Sequence, residues 1–244
     1  IGRYYETPDY ISHSDTHKGL MNRVYHWVRR VMLARKARLV KHNSRLSQGS
    51  LLDIGTGTGY FPHFMQERGW HVSAIEKSPQ ARQFAKEHFE LDVAAPEALN
   101  EFADKSFDVI TLWHVMEHLE HLNETWETLK RILKDQGILI IAVPNPTSFD
   151  AEKYKEMWGA YDVPRHLWHF SPSVMQQFGA KHDFILCERH PMPFDAFYVS
   201  MLSEKYRKSA FPFIKGLITG AEAWIVSLAK KDRSSSMIYV FRKK

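Results

Sequence analysis

Residues 51–59 read Leu-Leu-Asp-Ile-Gly-Thr-Gly-Thr-Gly, with three glycines at alternate positions directly after a short apolar run. Glycine has no Cβ and tolerates positive φ, so Gly55, Gly57 and Gly59 let the backbone turn sharply and let a ligand touch it. Tyr60 to Arg68 then read as a helix. A strand, a glycine loop and a helix N-terminus together form a cradle for a nucleotide-type cofactor. Two acids flank that cradle. Asp53 stands two residues before the first glycine, and Glu76 closes a second apolar run, Val72 to Ile75.

The charges and spacing select among cofactors. A dinucleotide site prefers G-x-G-x-x-G, whereas this loop is G-x-G-x-G. A carboxylate at the mouth repels a pyrophosphate and tolerates a cation. S-adenosyl-L-methionine carries a sulfonium and an ammonium, so Asp53 suits it, either directly or by holding the loop. Glu76 lies about 20 residues beyond the loop, where an acid accepts both ribose hydroxyls. That second feature is shared with NAD enzymes, so an NAD-dependent oxidoreductase stays as an alternative. A non-catalytic cofactor-binding scaffold at a membrane or partner surface is the other.

A second set of reactive side chains lies downstream. Phe107 to Trp113 is apolar after Asp108 and is followed by His114, Glu117 and His118. Ligands sit at the carboxyl ends of such strands. Glu117 and His118 are metal-ligand types, but no third ligand is evident, so they read as loop-fixing residues and no metal is expected. The aromatic segment Tyr154 to Phe170 carries Tyr161, His166 and His169. His166 is the first candidate general base and His114 the second, with Tyr161 and His169 at the substrate side.

The elements that must position these residues follow from periodicity. Apolar runs give seven strands: 51–54, 72–75, a weak 91–93, 107–113, 138–143, 184–190 and 236–242. Helices are expected over 20–42, 79–89 (capped by Ser78), 126–134, and from the Ser171-Pro172 pair. The first helix carries Arg29, Arg30, Arg35, Lys36 and Arg38 and reads as a solvated basic face, so nucleic acid is not the expected partner. Between the last two strands lies an insertion, about 191–233, whose apolar residues are too interrupted for a membrane span. It reads as a cap packed on the core, with a dimer surface or peripheral membrane contact as the other uses of such a face.

In order, Asp53 to Gly59, Glu76, Phe107 to Ile110, Met116-Glu117-His118-Leu119 and Leu133 to Gly137 resemble the class I SAM-dependent methyltransferases. The Glu-His-Leu tail resembles the branch of the ubiquinone-biosynthesis O-methyltransferases. The resemblance spans about 47–190. It implies an α/β, Rossmann-like, seven-stranded and mostly parallel sheet with helices on both faces and an antiparallel seventh strand. The expected parts are an N-terminal helical cap (1–46), the cofactor-binding core (47–190), the helical insertion (191–233) and the last strand (234–244). The resemblance further implies that Thr56 and Lys77 join the cofactor site. It places Pro96 and Glu97 at the adenine edge, although relatives often carry an acid where Ala95 stands. It sets Trp113 against the cofactor, and the Pro164-x-His166, Phe170-Ser171 pattern on the substrate side. The activity it implies is displacement at the sulfonium methyl by an oxygen, nitrogen or carbon nucleophile, with oxygen the expected one. The aromatic content of Tyr154 to Phe170 and of the insertion points to a small or lipid-like acceptor.

Composition agrees with an ordinary globular enzyme. Among 244 residues, 44% are hydrophobic and 25% charged, with a formal charge of +5. The single cysteine, Cys187, excludes an internal disulfide framework and a cysteine-only zinc site. It fits a reducing compartment, and no signal-peptide pattern opens the chain, so a cytoplasmic location is expected. The chain starts at Ile1 rather than Met, consistent with a piece of a longer protein.

Overall fold

The computed structural model describes the chain from Leu20 to Lys244, with side chains from His26 onward. The part of the expected N-terminal cap before Leu20 lies outside the described residues. The described residues form two compact units. One holds the residues up to Leu112 together with Thr128–Leu139, and the other holds Trp113–Glu127 and Ile140–Lys244.

One mixed sheet of six strands runs in the order β2-β1-β3-β4-β6-β5. Its strands are β1 (Ser50–Ile54), β2 (His71–Ile75), β3 (Phe107–Trp113), β4 (Leu133–Pro144), β5 (Phe184–Pro191) and β6 (Ser236–Lys243). β1 pairs parallel with β2 and with β3, and β5 pairs antiparallel with β6. Apolar residues on both faces of the strands suit the parallel part, because parallel strands are covered on both faces, and the buried polar pair Asp53 and Thr111 is satisfied by a mutual hydrogen bond. Leu51, Leu52, Val109, Ile110 and Leu112 are fully buried.

The expected third strand, 91–93, is reduced to one bridge beside it, which leaves six strands. Only Ala94 pairs, with its N–H to Ala74 O at 2.9 Å and its carbonyl accepting from Glu76 N–H at 3.0 Å. Leu91 instead drops into a cluster with Ala74 and Ala85, and Asp92 is exposed, so the short segment cannot extend a ladder. β4 begins at Leu133, earlier than periodicity indicates, and the preceding helix α4 spans Leu122–Ile132.

In the first unit, α1 (Leu20–Ser44) buries Ala37 and Val40. Arg29 lies 3.9 Å over the Tyr60 ring, while Arg30, Arg35 and Arg38 are exposed. α2 (Tyr60–Gln66) and α3 (Pro79–Phe89) follow β1 and β2. Ser78 caps α3 by accepting from Ala81 N–H at 3.3 Å, with Pro79 in the first turn. Gly59 takes φ +85°, and a Cβ there would lie 2.9 Å from Ala85 Cβ, so only glycine lets α2 start against α3.

In the second unit, α6 (Pro172–Lys181) packs on the antiparallel β5–β6 pair, while α5 (Phe149–Tyr154), α7 (Asp195–Tyr206) and α8 (Pro212–Ala229) pack on one another. Trp126 anchors the core edge-on to Phe178, Phe184 and Phe241, with centroids 5.3–5.5 Å apart. Gly179 permits that packing, since its Cβ would lie 2.4 Å from the Phe241 ring. Ser171 and Pro172 start α6 as the sequence indicates, with Val174 N–H donating to Ser171 Oγ at 3.3 Å.

Candidate active site

The first unit builds the cradle. Gly55 N–H and Thr56 N–H both donate to Ile75 O, at 2.8 and 3.0 Å, which folds the loop back over the end of β2. Gly55, Gly57 and Gly59 all have positive φ. Glu76 is buried, its Oε2 accepting from Gly57 N–H at 2.7 Å and its Oε1 from Ser78 N–H at 2.9 Å. Each carboxylate oxygen keeps a second lone pair for a ribose hydroxyl. A Cβ added at Gly57 would meet nothing within 4 Å, so the loop mouth is open where a ligand must lie. These residues fit S-adenosyl-L-methionine: Glu76 would take the ribose, and the Gly55–Gly59 backbone the amino-acid end.

Asp53 is tied into the core below the loop. It is buried and accepts from Thr111 Oγ1 at 2.6 Å, so it braces β1 against β3 beneath the loop. Burial raises its pKa from 3.8 to about 6, against the pull of the Thr111 and Thr56 hydroxyls and of Lys36. The folded pKa lies above the unfolded one, so ionised Asp53 destabilises the fold. That cost is absent below about pH 4, complete above about pH 6, and on the order of 3 kcal/mol. Asp53→Asn keeps an acceptor for Thr111. It should melt several degrees above the wild type at pH 8 without cofactor, and the two should converge near pH 4. Equal melting points at pH 8 would refute this account.

The other cofactor candidates are less engaged. Lys77 is exposed, its carbonyl accepting from Arg82 Nη1 at 3.1 Å. Pro96 and Glu97 open an exposed 3₁₀ turn, Pro96–Asn100, in the same unit. Trp113 is the buried last residue of β3 and belongs to the second unit.

The second unit gathers the histidines. The Met116–His118 turn is stitched to the 165–168 segment: Leu167 N–H and Trp168 N–H donate to Glu117 O at 2.8 and 3.3 Å, and Trp168 Nε1 donates to Leu119 O at 2.7 Å. This sets His118 against His166, rings 4.6 Å apart. His166 Nδ1 lies 2.8 Å from Ala160 O, and His118 Nδ1 lies 3.1 Å from Arg165 O. A carbonyl only accepts, so both Nδ1 atoms carry hydrogen, and the tautomer this selects has its lone pair at Nε2. Tyr161 packs edge-on to His169 at 5.1 Å, and His169 lies 6.4 Å from His166. Burial lowers the pKa of His166 and of His169, so both favour the neutral form.

His114 is different. It sits at the end of β3 with φ +59°, an uncommon conformation that its N–H bond to Ala142 O (2.9 Å) helps hold. Its Nε2 lies 3.1 Å from Asp195 Oδ2 and its Nδ1 3.5 Å from Glu117 Oε1. Burial by itself would lower its pKa, but the two carboxylates outweigh this and push it up to about 10. That shift favours the protonated ring at neutral pH. Glu117 is buried, and its carboxyl is held below the usual range because the His114 charge overcomes the burial that would raise it.

One partner and one grouping escape sequence reading. Asp195 lies in the insertion, and no local pattern ties it to His114. His166 joins Glu117 and His118 with ligand atoms all within 4.8 Å, supplying the third group that the Glu117-His118 pair lacks in sequence.

A family profile described as a methyltransferase domain matches residues 24–187. The chain therefore belongs to the methyltransferase-domain family, the class I SAM-dependent methyltransferases, for which S-adenosyl-L-methionine is the cofactor. It is 33% identical over 112 residues to an uncharacterized methyltransferase of Staphylococcus carnosus, covering 45% of this chain and 53% of that protein. It is 27% identical over 134 residues to the mitochondrial ubiquinone biosynthesis O-methyltransferase of Schizosaccharomyces pombe, covering 52% and 49%. The chain spans about half the length of the curated relatives it matches. The fold is shared with a SAM-dependent methyltransferase from Archaeoglobus fulgidus, with a TM-score of 0.57 and 19% identity over 88% of this chain and 94% of that one. The family assignment bears out the expected enzyme class and cofactor and sets the NAD reading aside.

Proposed function

We propose that this protein moves the methyl group of S-adenosyl-L-methionine to an oxygen on a small or lipid-like acceptor. The observation that carries the acceptor chemistry is the anchored His166 ring, whose Nδ1–H bond to Ala160 O leaves its lone pair at Nε2. Bound S-adenosyl-L-methionine supplies an electrophilic sulfonium methyl and leaves as S-adenosylhomocysteine. As the new O–CH3 bond forms, the acceptor hydroxyl loses its proton, and His166 is the group proposed to take it. His114, clamped between Glu117 and Asp195, supplies positive charge that would hold an acceptor oxygen as it becomes anionic. Tyr161 and His169 are proposed to shape the acceptor pocket. The ubiquinone-biosynthesis O-methyltransferases among the relatives support oxygen as the accepting atom, and the exposed apolar residues of the insertion support a lipid-like partner.

The test is label transfer. Protein incubated with methyl-labelled S-adenosyl-L-methionine and separate pools of phenolic lipids, aliphatic acids and amines should move label only into an oxygen-bearing pool. Label in the amine pool alone would overturn oxygen as the accepting atom.

A second reading rests on the grouping of Glu117, His118 and His166. The same lone pairs suit a divalent cation that would lower the acceptor's pKa instead. Activity lost on chelation and restored by magnesium, manganese or zinc would favour it, and chelator-insensitive activity would favour the direct base.

A further inference from the structure

α8 packs in the reverse of the usual amphipathic sense. Its inner stripe is small: Gly216, Gly220, Ala223 and Ser227 recur along one helical face and are buried. They let α7 approach to backbone contact, since a Cβ on Gly216 would lie 2.6 Å from Met201 Cα and one on Gly220 2.7 Å from Phe197 Cα. The opposite stripe is bulky. Ile214, Ile218, Ile225 and Leu228 are 57%, 56%, 62% and 65% exposed, with exposed Phe213 and Trp224 beside them. Single exposed apolar residues are ordinary, but a continuous stripe along an 18-residue helix marks an interaction surface.

Charge selects the partner. Exposed Lys205, Arg207 and Lys208 precede the helix, exposed Lys215 lies within it, and exposed Lys230 and Lys231 follow it. The nearby acids are already engaged or hidden: Glu204 is buried, Glu222 pairs with Lys153, and Asp232 pairs with Arg189 at 3.2 Å. A second copy docked about a twofold axis would set this basic rim against itself. An anionic lipid surface satisfies the stripe and the rim together. No helix among the described residues is long and apolar enough to cross a membrane, which leaves the in-plane position.

We propose that α8 is an in-plane anchor for an anionic lipid surface, with the Ile214–Leu228 stripe among the acyl chains and the flanking basic residues at the headgroup phosphates. The anchor holds whatever the methyl acceptor is. The experiment is co-sedimentation of the full chain with vesicles of phosphatidylcholine alone and of phosphatidylcholine mixed with phosphatidylglycerol. The wild type should pellet with the mixed vesicles, less so at high salt, and little with phosphatidylcholine. Ile218→Glu with Ile225→Glu alters only exposed positions, so its circular dichroism should match the wild type while its lipid affinity falls at least tenfold. Lys230→Gln with Lys231→Gln should lower affinity for mixed vesicles about fivefold per lysine. Arg30→Gln, Arg35→Gln and Arg38→Gln on α1 should change nothing. The proposal is overturned if the wild type does not pellet, if the folded glutamate variant pellets equally, or if the α1 variant is the one that loses binding. A concentration-dependent dimer that the glutamate variant abolishes, with no lipid binding, would overturn it in favour of a second copy.

Discussion

Gly57→Val should eliminate measurable binding of S-adenosylhomocysteine in isothermal titration. Two effects add. Gly57 sits at φ +57°, where a β-branched residue costs roughly 1–2 kcal/mol in backbone strain. More decisive is the open space at its Cβ position, which valine would fill with two methyl groups directly in the loop mouth. The strain lowers stability without unfolding a domain of ordinary stability, so circular dichroism should still report a folded protein. Gly57→Ala should give a smaller loss. Glu76 gives a graded companion test, because its carboxylate holds the Gly57 N–H and would receive the ribose. Glu76→Ala should weaken binding by about 1.5–3 kcal/mol, and Glu76→Gln, which keeps an acceptor, by less. Unchanged affinity in the valine variant would remove the cofactor from this loop.

His166→Ala should lower kcat on the order of 10²- to 10⁴-fold, the usual range for a lost general base, with S-adenosylhomocysteine affinity nearly unchanged. Alanine also releases the tie to Ala160 O, so by itself it would not separate chemistry from loop pinning. His166→Asn does. Its amide N–H can still donate to a carbonyl, but it has no basic lone pair. If His166 takes the proton, the asparagine variant should be as slow as the alanine variant. If His166 only pins the loop, asparagine should recover most of the rate. Full activity in the alanine variant would end the catalytic assignment whatever the geometry.

Local rules were readable in the chain. Glycine spacing, the Ser78-Pro79 and Ser171-Pro172 helix starts and the continuous apolar strands each depend on a few neighbouring residues. The glycine turns and both helix starts appear where the sequence places them, and the apolar strands do too, apart from the earlier start of β4. The 91–93 segment marks the limit of that approach. Its residue types suit a strand, but burial of Leu91 against Ala85 wins over ladder hydrogen bonds, and one bridge remains.

Long-range pairing decided what the histidines do. His114 reads as a free base from its neighbours alone. Asp195, delivered by a helix far along the chain, joins Glu117 to hold it as a cation. His166 meets Glu117 and His118 only because backbone bonds tie two distant turns together. α8 shows the same division. Its small residues and its bulky apolar residues fall on opposite helical faces. Glycine, alanine and serine admit the backbone of α7 closely, so the small face is buried and the isoleucines remain outside. Sequence reports how apolar each face is. Which face packs depends on how closely two backbones can approach, and that is a property of the pair.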